Sequence, residues 1–337
     1  MKAFEISKEF GIDALTLAER PLPAPGHGQV LIKVKAASLN YRDLMTVKGV
    51  YARAQLRLPL VPLSDGAGEV VEVGEGVTRV RKGDRVAAIF LQSWIAGRLT
   101  PADTNSSLGG AIDGMLAEYV VLHEDGLVRI PDDLSYEEAA TLPCAAITSW
   151  NALITTGALT AGDTVLVQGT GGVSIFALQF AKLVGARVIA TSSSDKKLER
   201  LRELGASDAI NYKTTPDWDR KVLELTGGIG VDHVIEVGGA GTLARSLQAV
   251  RMGGCVSLIG VLTGFGGEIN PVPVLMKSAR LQGIYVGSRE MFEEMNRAIA
   301  LHRLRPVIDR VFPFEESREA LRYMESGAHF GKICIRI

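Results

Sequence analysis

The chain reads as an α/β protein: a compact β-barrel-like domain followed by a doubly wound domain with a parallel sheet. Three observations lead there. At 337 residues it exceeds the usual ~100–200 residues of one domain. Its texture changes near Leu134, from proline-punctuated strand-like runs to regular alternation of apolar strands and helices. Finally, a glycine-rich turn, Gly169-Thr170-Gly171-Gly172-Val173-Ser174, stands between a strand and a helix.

In the first part, residues 30–35 alternate apolar and polar as a half-buried strand should. Residues 68–86 carry two more strand-like runs, broken at Gly74, Gly76 and Gly83. Pro21, Pro23, Pro25, Pro59 and Pro62 leave no room for a long helix. Ser135 with Glu138 forms a capping box and predicts a helix through residues 139–153. Strands are then expected at Thr164–Gln168, 187–191, 233–237, 255–261 and 281–286, with helices at 174–184 and 195–204. The tail adds a helix at 290–300, a strand at 310–314, a helix at 317–324 and a closing strand at 331–337, and it is expected to return to the first domain.

Composition narrows the function. Hydrophobic residues make up 47%, which excludes a disordered chain. A formal net charge of −1 offers no case for nucleic acid or an anionic membrane surface. No stretch reaches ~18 uninterrupted apolar residues, so no membrane span is expected. Cys144, Cys255 and Cys334 are odd in number and far apart, which argues against a disulfide framework. With no signal-peptide pattern at Met1-Lys2-Ala3-Phe4-Glu5, the expected compartment is the cytoplasm.

The turn at 169–174 carries the sharpest chemistry. Gly169 allows the tight turn, and Gly171 lets the backbone approach a pyrophosphate held by helix N-terminal amides. Gly169, Thr170, Gly171, Gly172 and Val173 are the expected dinucleotide-binding residues, and Ser174 replaces the third glycine of the fingerprint with another small residue. An NAD-binding chain usually places a carboxylate about 20 residues on. Here the segment is Thr191-Ser192-Ser193-Ser194-Asp195-Lys196-Lys197, so hydroxyls at Ser192 and a cation at Lys197 favour the 2′-phosphate of NADP(H). The same residues admit a plainer reading, in which Ser194 caps the next helix and the lysines are solvated. Asp195 also remains able to approach a ribose.

These residues, together with the stretch from Gly66 to Val77, Lys82-Gly83-Asp84-Arg85-Val86 and Gly331-Lys332-Ile333, resemble the medium-chain dehydrogenase/reductase superfamily over essentially the whole chain. The chain is most similar to its zinc-free quinone oxidoreductase and enoyl reductase branch. The resemblance implies a GroES-like catalytic domain at 1–125 completed by 289–337, and a Rossmann NADP-binding domain at 126–288. In zinc-dependent members the metal is held by a Cys, a Gly-His-Glu and a second Cys. Here Asn40 takes the first place, Leu63-Ser64-Asp65 the second, and only Cys144 remains. One thiol cannot make a site that needs three protein ligands, so no metal is expected. Residues 87–125 hold no cysteine, so the structural-zinc lobe is absent too.

Without a Lewis acid, hydride addition to a quinone or conjugated enone is easier than oxidation of a simple alcohol, because charge spreads onto an oxygen that hydrogen-bond donors can stabilise. Asn40 and Tyr41 are the candidate catalytic residues: an uncharged amide donor and a phenol able to protonate carbon. Tyr41 can equally pack on the barrel, with Arg42 and Asp43 an ordinary ion pair. By the same resemblance Thr148 lies near the nicotinamide, Tyr212 near the adenosine phosphate, and Gly260, Val286, Gly287 and Ser288 at later strand ends facing the cofactor. Lys332 would reach a phosphate or be solvated. His27, His123, His233, His302 and His329 are scattered without metal spacing. Trp94, Ile95, Leu99, Met115 and Leu108-Gly109-Gly110 suggest an apolar pocket for a small hydrophobic carbonyl or quinone substrate. A homodimer through the Rossmann sheet edges is expected, formed by the β-prone run 281–286. An alcohol or aldehyde oxidoreductase with a non-metal acid–base pair and a non-catalytic NADPH-binding protein are the competing readings.

Overall fold

Strands open the chain: β1 (Lys2–Ile6) pairs antiparallel with β2 (Leu15–Glu19), and the long β3 (Gln29–Ser38) follows. The computed structural model describes residues 1–51 and 56–337 and divides into two units, Met1–Ile147 with Val286–Ile337, and Thr148–Tyr285. In the first unit, β3 is flanked by β4 (Asp65–Val73) and β6 (Tyr119–His123), and β4 leads on to β5 (Arg85–Ala88) and β7 (Leu127–Arg129). The alternation seen in residues 30–35 sends Val30, Ile32 and Val34 into one core with Phe4, Leu15 and Leu39. Phe4 meets Phe314 edge-on at 5.1 Å, which ties the tail to this core.

The second unit is a six-stranded parallel sheet. It contains β8 (Thr164–Gln168), β9 (Arg187–Ser192), β10 (Asp208–Asn211), β11 (Val231–Glu236), β12 (Val250–Leu258) and β13 (Arg280–Gly283). Their spatial order is β10-β9-β8-β11-β12-β13, the doubly wound arrangement whose strand order reverses between β8 and β11. β8 is buried along most of its length, as expected of a strand covered on both faces. The helices Gly172–Val184 and Asp195–Glu203 fall where their periodicity placed them.

The tail supplies β14 (Ile308–Pro313) and β15 (Lys332–Arg336) to the first unit. β15 runs antiparallel to β3 with Cys334 opposite Ser38, and Leu39 N donates to Ile333 O at 3.0 Å. That register carries Lys332 past the end of β3 to the level of Asn40. No helix among the described residues is long and apolar enough to cross a membrane.

Three expectations change. The unit boundaries lie at 147/148 and 285/286, not at 125/126 and 288/289, because the capping-box helix Tyr136–Ala140 packs on β3 and β4, and Gly287 lies against Ile147. The capping box itself is present: Glu138 N donates to Ser135 Oγ at 3.1 Å, and Ser135 N to Glu138 Oε2 at 2.8 Å. The helix beyond it widens into π turns at Leu142–Ala146 and Asn151–Thr155, the first of them containing Pro143, which has no N–H to donate. The strand expected at 281–286 is cut short at Gly283, and Val286, a β-branched residue, sits at φ +48°.

Candidate functional site

In the second unit, the glycine-rich turn joins β8 to the helix Gly172–Val184. Gly169 has φ +73°, which favours glycine, and its amide donates to Thr191 O at 2.8 Å, fixing the turn against β9. Ser174 is buried and donates from Oγ to Gln168 O at 2.6 Å, so the departure from glycine is a small side chain that bonds back to the strand. Gly171 caps the helix at φ −76°, an ordinary conformation, and a Cβ there would meet nothing within 4 Å. Neither packing nor backbone strain requires that glycine. The open space lies beside amides that a helix start leaves without intrahelical partners, and a pyrophosphate fits it.

At the end of β9, Ser192 is buried and its Oγ accepts from Ser194 N at 3.4 Å; Ser194 Oγ in turn accepts from Lys197 N, so the capping role weighed for Ser194 is real. Asp195 is occupied by Asn211, whose Nδ2 donates to its Oδ1 at 2.7 Å. Exposed Tyr212 is tied to the same place, with its amide on Ser192 O at 3.0 Å. Ser192 and Tyr212 therefore meet through their backbones, and Lys197 lies in the first turn of the helix that Ser194 caps. Gly260 is a glycine for another reason, since a Cβ would stand 2.5 Å from Val237 O. Buried Thr148 begins the unit, in the helical stretch between the two π turns. Val286, Gly287 and Ser288 belong to the first unit, where Ser288 caps the helix Arg289–His302.

Sequence reasoning passed over Glu236, at the end of β11. Fully buried, it accepts from Gln168 Nε2 (2.9 Å), Ser246 Oγ, Thr242 Oγ1 (2.5 Å) and the amides of Gly238 (2.7 Å) and Gly239 (3.0 Å). An acid directly after the apolar pair Val234-Ile235, at the carboxyl end of a parallel strand, is the available signal. Its carboxylate fixes the 238–242 loop.

The first unit gathers a buried polar cluster from four distant segments. Asn40 precedes the helix Tyr41–Val47, and its backbone N–H donates to Asp43 Oδ2 at 2.8 Å. Asp43 also takes Arg42 Nη1 at 3.0 Å and Ser64 N at 3.3 Å. Arg42 lies over the Phe90 ring, 5.1 Å from its centroid, so the ion pair anticipated for Arg42 and Asp43 is present and well fixed. Ser64 Oγ donates to Asp65 Oδ1 at 2.7 Å, and Cys144 N donates to Asp65 Oδ2 at 3.2 Å. Burial raises the Asp65 carboxyl to about 6, against the opposing pull of Lys332.

Lys332 corrects an expectation. It is 3% exposed, and its Nζ donates to Leu39 O and to Asn40 Oδ1, both at 2.6 Å, and stands 4.0 Å from Asp65 Oδ2. The pairing of β15 with β3 holds it there, buried rather than solvated, with its ammonium committed to Leu39 and Asn40. Tyr41 is 44% exposed and stays outside this cluster. The pocket residues anticipated from composition differ as well: Leu108 and Met115 belong to the barrel core, and Trp94 is buried.

The cluster does not suit zinc. Of the positions that bind it in metal-dependent relatives, an amide, a hydroxyl and a carboxylate stand beside one thiol, and burial together with the nearby Asp65 charge pushes the Cys144 thiol up. An ammonium lies among them. Among the described residues, no three His, Cys, Asp or Glu side chains are grouped to hold a metal ion.

With both sites described, comparison with known proteins agrees. The alcohol dehydrogenase GroES-like domain model matches residues 26–132, and the zinc-binding dehydrogenase model matches 172–301. The chain therefore belongs to the medium-chain dehydrogenase/reductase superfamily of oxidoreductases, with a GroES-like and a Rossmann-type domain. A zinc-type alcohol dehydrogenase-like protein of Schizosaccharomyces pombe is 46% identical over 97% of this chain and 96% of its own length. A solved NAD-dependent alcohol dehydrogenase is 35% identical, covering all of both chains, with TM-score 0.91. A mycobacterial protein solved with NADPH is 27% identical, again over all of both chains, with TM-score 0.83.

Proposed function

We propose that the protein is an NADPH-dependent reductase of quinones or activated (enone or enal) double bonds, working without zinc. The Asn40 amide carries this reading. With its oxygen engaged by Lys332, its N–H groups face the other way as uncharged donors at the place of the first zinc ligand, held only loosely by Ser64 Oγ at 3.4 Å and by the Asp65 carboxyl. Bound NADPH supplies the hydride. Asn40 donates to the substrate oxygen as charge develops there, a contribution typically worth ~10²–10³ in rate. Exposed Tyr41 is available to protonate the adjacent carbon.

The choice of NADPH over NADH rests on Ser192 in the place of a carboxylate, on Asp195 being held by Asn211, on Tyr212 beside Ser192, and on the cation of Lys197 in the helix that follows. Solved neighbours are named for each cofactor, so the ribose end has to decide. The protein acts as a homodimer joined along β13, a sheet edge with no outer partner among the described residues, next to exposed Val272, Leu275 and Met276. Its substrate is a small hydrophobic carbonyl or quinone.

The names of the relatives favour a second reading, alcohol or aldehyde oxidoreduction, which without zinc would need a non-metal acid–base pair. Ser64 and Asp65, a hydroxyl donating to a carboxylate of raised pKa, are the pair it would use. NADPH consumption measured across quinones, enals, enones and aldehydes separates the two. Turnover of quinones or enones and not of aldehydes supports the proposal. Turnover confined to aldehydes, or absent with every substrate, overturns it.

A further inference from the structure

We propose that Lys332 is a positioning residue for the reduction, acting through Asn40: its ammonium fixes which way the Asn40 amide faces and polarises it toward the substrate oxygen. The inference rests on the reading of Asn40 as the oxyanion donor. An asparagine amide can be turned end for end with little change in shape, and only its partners decide which end is presented. An ammonium has donors and no acceptor. With Nζ at 2.6 Å, the Asn40 atom facing Lys332 must therefore be the oxygen, and the N–H groups must point away from it.

Those N–H groups run toward Ser64 Oγ at a slack 3.4 Å and, at longer range, toward the Asp65 carboxyl, and contacts this loose leave the amide able to serve a better-placed acceptor. Drawing electron density into Oδ1 makes the N–H groups stronger donors, and a buried charge does this more effectively than one in water. The positive charge that a metal supplies in zinc-dependent relatives is thus delivered second-hand, through an amide.

The neighbours support an ammonium held in this pose. Leu39 O accepts a second hydrogen bond from the ammonium, and Asp65 stands 4.0 Å away, close enough to balance charge without displacing Asn40. Arg42 and Asp43 form their own pair beside them, so the cluster holds two cations and two carboxylates. A lysine serving only to anchor β15 to β3 would need the Leu39 contact alone.

The test is a double-mutant cycle on kcat with an enone substrate, paired with NADPH affinity by fluorescence titration. Lys332→Met removes the charge at similar length, and Lys332→Arg keeps it. Because Lys332→Met strands a buried carboxylate, the neutral pair Lys332→Met with Asp65→Asn is measured beside it. The expected result is a loss of ~10–10² in kcat for both Met variants with NADPH affinity unchanged, substantial recovery in Lys332→Arg, and no further loss when Lys332→Met is added to Asn40→Ala. Losses that multiply in the cycle, or kcat unchanged in the neutral pair, overturn the role of Lys332 and leave Asn40 as a donor. Native kcat in Asn40→Ala alone overturns the donor reading itself.

Discussion

Lys332 Nζ and Asn40 Oδ1 lie 2.6 Å apart although 292 residues separate them along the chain. The antiparallel register of β15 on β3 makes the contact, placing the last element of the fold at the start of the helix Tyr41–Val47. The candidate catalytic amide is thus oriented by the C-terminal strand.

Gly171 and Gly260 are predicted to fail in opposite ways. Gly171→Ala meets no protein atom, so the melting temperature should hold while NADPH affinity falls at least tenfold as the methyl enters the pyrophosphate space. Gly260→Ala drives a Cβ to 2.5 Å from Val237 O and should lower the melting temperature markedly. Thermal unfolding and calorimetric titration of both variants check the pair.

Ser192→Asp should invert cofactor preference. The wild-type protein is expected to bind NADPH several-fold more tightly than NADH, and the new carboxylate repels the 2′-phosphate while accepting from a 2′-hydroxyl. Equal affinities of the wild-type protein for both cofactors would contradict the reading of this strand end.

Asp65 predicts a pH dependence of stability. Its folded-state pKa is raised from 3.8 to about 6, so between those values the folded protein keeps a proton that the unfolded chain has released. Stability from this group is complete below pH ~4, falls as the pH rises to ~6, and is lost above it, a change of at most about 3 kcal/mol. Asp65→Asn should flatten this descent in denaturant titrations from pH 4 to pH 7. An unchanged slope would mean that Asp65 titrates normally.

Tyr41→Phe tests the proton. If the phenol protonates carbon, kcat with enones falls ~10²–10⁴ while NADPH affinity holds, and quinones suffer less because their own oxygens carry the charge. Native enone rates would assign the proton to water.

Local features were legible in the sequence, and distant ones were not. Ser135 and Glu138 announce their capping box because the bonds span three residues, and the turn at 169–174 announces its strand and helix because each glycine acts on its own backbone. Once the resemblance to zinc-dependent relatives gives the ligand positions, their occupants read directly as Asn40, Ser64 and Asp65. Lys332 was misplaced toward a phosphate because its partners come from strand pairing, which no local pattern encodes. Val286 and the π turns escaped for a related reason: an apolar run suggests a strand or a helix, while tertiary packing determines where it breaks.

The most direct test of the central claim is the rate of NADPH oxidation with a cyclic enone by protein stripped with a chelator and shown by elemental analysis to be metal-free. The account predicts the same kcat before and after stripping, with no gain on adding zinc. Activity lost on stripping and restored by one equivalent of zinc would contradict it.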